Sequence, residues 1–155
     1  MQRIVPGILT IGALAWSATL FLAPYALSSD DPRHIAAAAV VYQAAGLICH
    51  QKSERSFHLA GVQQPVCARC AGLYVAGASG VLAAWTLSRR PRAPRRTRMI
   101  LIAAAVPTVF TVALEFFGLA YPSNTVRAVS ALPLGGAAAW VFVQSLRAEA
   151  LSPEP

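Results

Sequence analysis

The sequence predicts an all-α polytopic membrane helix bundle with four transmembrane helices and one short interfacial or re-entrant helix. Three observations support this fold class. Apolar residues make up 56% of the 155 residues, charged residues only 12%, and the mean hydropathy is +0.53, whereas soluble domains carry about 25% charged residues. The apolar residues are grouped in segments long enough to cross a bilayer. Six of the thirteen lysines and arginines lie close together between two of these segments.

The first predicted helix covers residues 4–27, which contain no charged side chain. At a rise of about 1.5 Å per residue, this length crosses a hydrocarbon core about 30 Å thick. A single basic residue, Arg3, precedes it, and the apolar run is longer than the roughly 7–15 residues of a signal-peptide core. We therefore predict a retained membrane helix and not a cleaved leader.

The second predicted helix follows a polar break. Asp30 or Asp31 is suited to cap it, with Pro32 at its first position. Its apolar part, residues 34–48, is only fifteen residues long, which is short for a span and typical of an interfacial or re-entrant helix. An alternative with five spans, in which this helix crosses the membrane, stays open.

Three further apolar segments, residues 71–88, 99–120 and 125–146, are predicted to span the membrane. Glycines in the first of them allow close approach of a neighbouring helix. Glu115 lies in the second segment and Arg127 near the start of the third. Since 155 residues correspond to one domain, we expect a single integral membrane domain.

The basic loop, residues 88–98, sets the predicted orientation. Positively charged loops between spans remain in the cytoplasm, so the preceding segment, residues 49–70, is expected on the extracytoplasmic side of a cell inner (cytoplasmic) membrane. The loop has no interleaved aromatic residues, which argues against nucleic-acid binding. Anionic headgroups of the lipid bilayer are the expected partners. The arginines of the loop are Arg89, Arg90, Arg92, Arg95, Arg96 and Arg98.

The segment at residues 49–70 contains all three cysteines and two of the three histidines. Three thiolates and an imidazole form the ligand set of a tetrahedral zinc site. We therefore predict a transition-metal site, with zinc as the expected ion. Because neighbouring residues rarely both reach one metal, His58 or Glu115 are alternatives for the fourth ligand. The predicted ligands are Cys49, His50, Cys67 and Cys70.

Two other functions use the same atoms. A Cys67-x-x-Cys70 pair at a helix start is also found in quinone-linked disulfide-forming enzymes of the membrane, although those need a second cysteine pair and this chain has one further cysteine. Alternatively, a structural disulfide would hold an extracytoplasmic loop together, in an accessory subunit of a larger membrane complex. Whether the protein is an enzyme is left open by the sequence.

Helix lengths predict which other polar residues lie near the cysteines. Glu115 and Arg127 flank the turn at residues 121–124, which places both within about 10 Å of the outer boundary. A carboxylate in a membrane helix usually faces a partner or a cavity. The alternative is a purely structural ion pair of Glu115 with an arginine. The residues predicted to surround the metal site are Gln51, Arg55, Arg69, Glu115 and Arg127.

The motifs of this segment are similar to those of a known family. They are Cys-His-Gln at 49–51, Arg-Ser-Phe at 55–57 and Pro-Val-Cys-Ala-Arg-Cys-Ala-Gly-Leu-Tyr at 65–74. Together they resemble domain-of-unknown-function family 2085, a group of small bacterial and archaeal predicted membrane proteins. The resemblance covers roughly residues 40–140. It implies a polytopic membrane protein with a cluster of Cys, His and Arg, and it implies no particular activity.

Overall fold

The computed structural model describes residues 4–86 and 94–149, and most of these residues are helical. The helical fold class predicted from the sequence is therefore confirmed. The described helices, in chain order, are α1 (Val5–Leu27), α2 (Pro32–Gly46), α3 (Ala68–Thr86), α4 (Pro94–Phe116) and α5 (Asn124–Glu149).

Three of the described helices, α1, α4 and α5, are long and apolar enough to cross a membrane. The predicted membrane character is thus supported with three candidate spans. The helix α3 was predicted as a fourth span and is not among them. Its 19 residues include Arg69, Ser79 and three glycines, which lower its mean hydropathy. Its crossing of the membrane stays a prediction.

The helix α2 is short, as predicted, and begins at the predicted cap. The Asp31 carboxylate accepts a hydrogen bond of 2.8 Å from the backbone N–H of Arg33, and Pro32 occupies the first helical position. The helix ends at Gly46, so Cys49 lies beyond its last turn. The chain is then free to turn toward the start of α3.

The connection between α2 and α3 contains structure that the sequence analysis did not predict. Ala60 and Gly61 both have positive φ, 51° and 77°, which is the conformation of a type I′ hairpin turn. Strands of two residues are too short to produce a recognisable alternation of polar and apolar side chains. The elements of this connection are a 3₁₀ helix (Ser53–Arg55) and the antiparallel strands β1 (His58–Leu59) and β2 (Val62–Gln63).

The helices α3 and α5 pack closely through glycines. A Cβ atom added to Gly72 would overlap the carbonyl oxygen of Ala128, and one added to Gly80 would overlap that of Gly136. Glycine at these positions lets the two backbones touch. This contact fixes the height of the first turn of α5 relative to the first turn of α3.

The helix α4 is joined to α5 by hydroxyl groups. The Thr108 hydroxyl donates a hydrogen bond of 2.8 Å to the carbonyl oxygen of Ser130, and the hydroxyls of Thr111 and Ser130 lie 3.2 Å apart. Glu115 follows Thr111 by four residues and therefore lies on the same face of α4. The packing of α4 on α5 thus turns Glu115 toward the start of α5.

The predicted boundary of the basic loop requires a correction. Because α4 begins at Pro94, the residues Arg95, Arg96 and Arg98 are helical and not part of a loop. Proline is favoured at the first position of a helix, and arginine is a good helix former. The remaining loop arginines, at positions 89, 90 and 92, lie outside the described residues.

Candidate metal centre

The three cysteines come together in the structure. The Sγ atoms of Cys49, Cys67 and Cys70 all lie within 4.8 Å of one another. All three residues belong to the described part of the chain, and no disulfide joins any two of them. In a tetrahedral zinc site with Zn–S bonds of about 2.3 Å, the sulfur atoms are about 3.8 Å apart. Small side-chain movements are therefore enough to bring all three sulfurs onto one ion.

The path of the backbone explains this arrangement. Cys67 immediately precedes α3 and Cys70 lies in its first turn, so both thiols lie at the start of this helix. The backbone N–H of Cys67 donates a hydrogen bond of 3.2 Å to the sulfur of Cys49. The N-terminal end of a helix favours the thiolate form of a cysteine. The site is therefore suited to thiolate ligands.

At Cys67 the electrostatics of the cluster act in the same direction. A hydrogen bond with the Cys70 thiol lowers the pKa of Cys67 to about 5, while burial works in the opposite direction. The lowered pKa favours the thiolate form of Cys67. The thiolate is the form of cysteine that binds metals.

An apolar layer covers one side of the cluster. Cys49 is buried, 8% exposed, and belongs to a core cluster with Leu20, Ala45 and Val66. Trp16 packs against the same cluster. Because this side excludes water, the opposite side of the cysteines is where a ligand can enter.

That opposite side is a cavity of about 300 Å³. His50 lines it beside the cysteines, but its side chain is exposed and it is not one of the three residues whose ligand atoms group together. His58 does not line the cavity, and its Nε2 atom lies 3.4 Å from the hydroxyl of Ser53. The lining residues are Ile48, Cys49, His50, Gln51, Lys52, Arg55, Cys67, Arg69, Cys70 and Arg127.

The structure brings Glu115 and the predicted arginines together. Oε1 of Glu115 accepts hydrogen bonds from Nη2 of Arg69 at 2.8 Å and from Nε of Arg127 at 2.9 Å. Nη1 of Arg55 lies 3.7 Å from Oε2. The Glu115 side chain is only 8% exposed. Its carboxylate is therefore occupied by arginines, which makes it an unsuitable fourth metal ligand.

Asn124 links this ion cluster to the loop before α3, a role that the sequence analysis missed. Its side-chain oxygen accepts a hydrogen bond of 2.9 Å from Nη1 of Arg127, and its side-chain nitrogen donates one of 3.0 Å to the carbonyl oxygen of Ser56. The spacing of three residues between Asn124 and Arg127 places both on one face of a helix. That spacing is the signal through which the contact could have been found.

Gln51 holds the loop in shape. Its Nε2 donates hydrogen bonds of 2.7 Å to the carbonyl oxygen of Tyr42 and 2.9 Å to that of Pro65. Its own carbonyl oxygen accepts a hydrogen bond of 2.6 Å from Nε2 of Gln63. Gln51 therefore ties the chain after α2 to the chain before α3, which is how Cys49 and Cys67 come to lie side by side.

Comparisons with known proteins support the family resemblance that the motifs indicate. The chain matches the model of a family described as "Predicted membrane protein (DUF2085)" over residues 49–141, which confirms the resemblance. It is 27% identical over 130 residues to an uncharacterised protein of Methanocaldococcus jannaschii, covering 83% of each chain. It is 31% identical over 88 residues to an uncharacterised protein of Methanothermobacter thermautotrophicus, covering 57% of this chain and 78% of the relative. No solved structure matches the chain.

Proposed function

The chain belongs to the family of predicted membrane proteins DUF2085, and we propose that it is a small integral membrane protein that binds a transition metal at its cysteine cluster. The expected ion is zinc. The observation that supports this proposal best is the grouping of three thiols within 4.8 Å, with no disulfide between them. Clusters of thiolates bind zinc in preference to hard ions such as magnesium.

In this proposal Cys49, Cys67 and Cys70 supply three ligands and His50 supplies the fourth from the cavity side. His50 follows Cys49 directly and lines the same cavity. Zinc held by three thiolates has a net charge of −1. The neighbouring guanidinium groups of Arg55, Arg69 and Arg127 would stabilise that charge, as outer groups around metal sites do.

We further propose that α3 is the fourth span and that residues 49–70 are extracytoplasmic. The basic residues between α3 and α4 support a cytoplasmic position for that connection. The close contact of α3 with α5, a helix long enough to cross the membrane, supports a membrane position for α3. Exposed apolar side chains on α4 would face lipid or other subunits of a membrane complex.

The metal proposal is tested by elemental analysis and thiol counting on the detergent-purified protein. We expect about one zinc per chain and three thiols that react only after chelation or denaturation. Cys49→Ser and Cys67→Ser should each lose the metal, and His50→Ala should weaken its binding. His34→Ala is the matched control, since His34 lies on the exposed face of α2 and should leave metal content unchanged.

A different result would contradict the proposal. Protein without metal, with one free thiol and one pair that reacts only after reduction, would indicate a structural disulfide. The protein would then fit the role of an accessory subunit with a disulfide-held loop.

The position of Cys67 and Cys70 supports a second candidate function, a membrane thiol–disulfide oxidoreductase. The two thiols lie side by side at the start of α3 and both line the cavity. Oxidation would form one S–S bond and transfer two electrons and two protons to a quinone. A quinone-dependent absorbance change that disappears in Cys70→Ser, together with absence of metal, would favour this function over metal binding.

A further inference from the structure

The cavity beside the cysteines has an excess of positive charge. Four cationic side chains line it, and three of them, all arginines, form ion pairs with Glu115. Zinc bound to three thiolates would add a single negative charge, which leaves the cavity positive with or without metal. The cationic residues are Lys52, Arg55, Arg69 and Arg127.

Several hydrogen-bond donors of these side chains are not used by Glu115. Nε of Arg69 is buried and has no hydrogen-bond partner among the described residues. Arg55 lies 3.7 Å from the Glu115 carboxylate, too far for a hydrogen bond, and its side chain is 42% exposed. Lys52 is exposed and forms no ion pair within the described part of the chain. Buried donors without partners are rare in folded proteins and call for an explanation.

We propose that this cavity binds a phosphate group, either as a free oxyanion or as the headgroup of an anionic lipid. Arg55 and Lys52 would hold the phosphate from the exposed side, and Arg69, whose Nε has no hydrogen-bond partner among the described residues, would hold it from inside. The fork of a guanidinium group matches the geometry of phosphate oxygens. The proposal goes beyond the metal site and does not require a bound metal.

The geometry of the cavity fits such a ligand. A volume of about 300 Å³ exceeds that of a phosphate group and leaves room for the adjoining part of a larger molecule. Glu115 and Asn124 already hold Arg127, and Glu115 holds Arg69, so few side chains must be ordered when the ligand binds. Ile48, which lines the cavity, is 59% exposed and offers an apolar edge to a lipid chain.

The first test measures the thermal unfolding midpoint of the detergent-purified protein during titration with sodium phosphate. Ionic strength is held constant with sodium chloride, which removes the general screening effect. We expect a midpoint that rises with phosphate and saturates, because a ligand that binds the folded state stabilises it. In Arg55→Gln the apparent affinity for phosphate should fall about tenfold, and Lys52→Gln should lower it less.

Arg33→Gln is the matched control, because Arg33 is exposed at the start of α2 and does not line the cavity. It should keep the full response to phosphate. Zinc content and the midpoint without phosphate, measured for each variant, show whether it is folded. Equal responses of the wild type and Arg55→Gln would overturn the proposal.

The second test distinguishes the two sources of phosphate. Mixed micelles containing phosphatidic acid are compared with micelles containing phosphatidylcholine alone. An Arg55-dependent shift with phosphatidic acid identifies a lipid headgroup, whereas a shift with inorganic phosphate alone identifies a soluble oxyanion. No shift with either probe would overturn the proposal.

The metal proposal and this proposal can fail separately. One zinc per chain without any response to phosphate would refute the phosphate site alone. A response to phosphate in protein that binds no metal would refute the metal site alone.

Discussion

Glu115 determines how the charged residues around the cysteines are arranged. Its carboxylate contacts arginines from the loop before α3, from α3 and from α5. Burying a charge is costly unless opposite charges and hydrogen bonds compensate it. Since Glu115 and Arg127 are both more than nine-tenths buried, each depends on the other for its compensation.

Replacing Glu115 with glutamine should therefore destabilise the protein strongly. The substitution leaves Arg69 and Arg127 in place without a counter-charge, and removal of one partner from a buried ion pair costs about 3–5 kcal/mol. A thermal or denaturant unfolding curve in detergent would measure the loss. Glu54→Gln is the control, because Glu54 is exposed and should change stability by less than about 0.5 kcal/mol. Equal stability of both variants would show that the ion cluster contributes little.

The convergence of these charged residues could be predicted from the sequence because a helix has a fixed rise per residue. Counting from the turn at residues 121–124 was enough to place Glu115 and Arg127 at one depth. The part played by Gln51, and the contact of Asn124 with Ser56, could not be predicted in this way. They depend on the course of a loop whose hydrogen bonds join residues far apart in sequence.

Among the helices, the contact between α3 and α5 depends most on glycine. The carbonyl oxygen of Gly136 occupies the space that a side chain on Gly80 would need. The same relation holds between Gly72 and Ala128, next to Arg127. The close approach of the backbones thus also keeps the arginines of α3 and α5 within reach of one carboxylate.

Gly80→Ala should separate the two helices and destabilise the protein by about 1–3 kcal/mol, the usual cost of overpacking. Gly12→Ala is the matched control, since nothing lies within 4 Å of a Cβ atom at that position of α1. Alanine there should leave stability unchanged or raise it slightly, because alanine favours helix formation. Unfolding midpoints of the two variants, measured side by side, would provide the comparison. Equal midpoints would mean that α5 shifts without cost.

The sequence predicted the existence of the helices more accurately than their first residues. The capped start of α2 and its short length followed directly from Asp31, Pro32 and the composition of the segment. The predicted start of the α4 span at residue 99 was five residues too late, because the charged residues were assigned to a loop, although arginine is a good helix former. The hairpin with its turn at Ala60 and Gly61 was missed, because alanine is uncommon at positive φ.

At the scale of the whole molecule, the proposed topology is tested by labelling with a membrane-impermeant thiol reagent in intact cells. Four spans place the turn between α1 and α2 outside and the basic connection inside. Ser28→Cys should therefore be labelled from outside, and Arg90→Cys only after permeabilisation. The wild-type chain, with its three native cysteines, provides the background signal.

Labelling of Arg90→Cys from outside in intact cells would refute the orientation and with it the extracytoplasmic position of the cysteines. Protection of Ser28→Cys in intact cells, with Arg90→Cys also protected, would instead indicate five spans with α2 crossing the membrane.

The position of Glu115 in the chain also has a consequence for biosynthesis. Arg69 precedes Glu115 by 46 residues and Arg127 follows it by 12, so α3 leaves the ribosome well before its counter-charge has been made. We therefore expect Arg69 to lack its carboxylate partner in a nascent chain that stops before α4. The final arrangement of the cavity beside the cysteines would then form together with α4 and α5, as a single late step of synthesis.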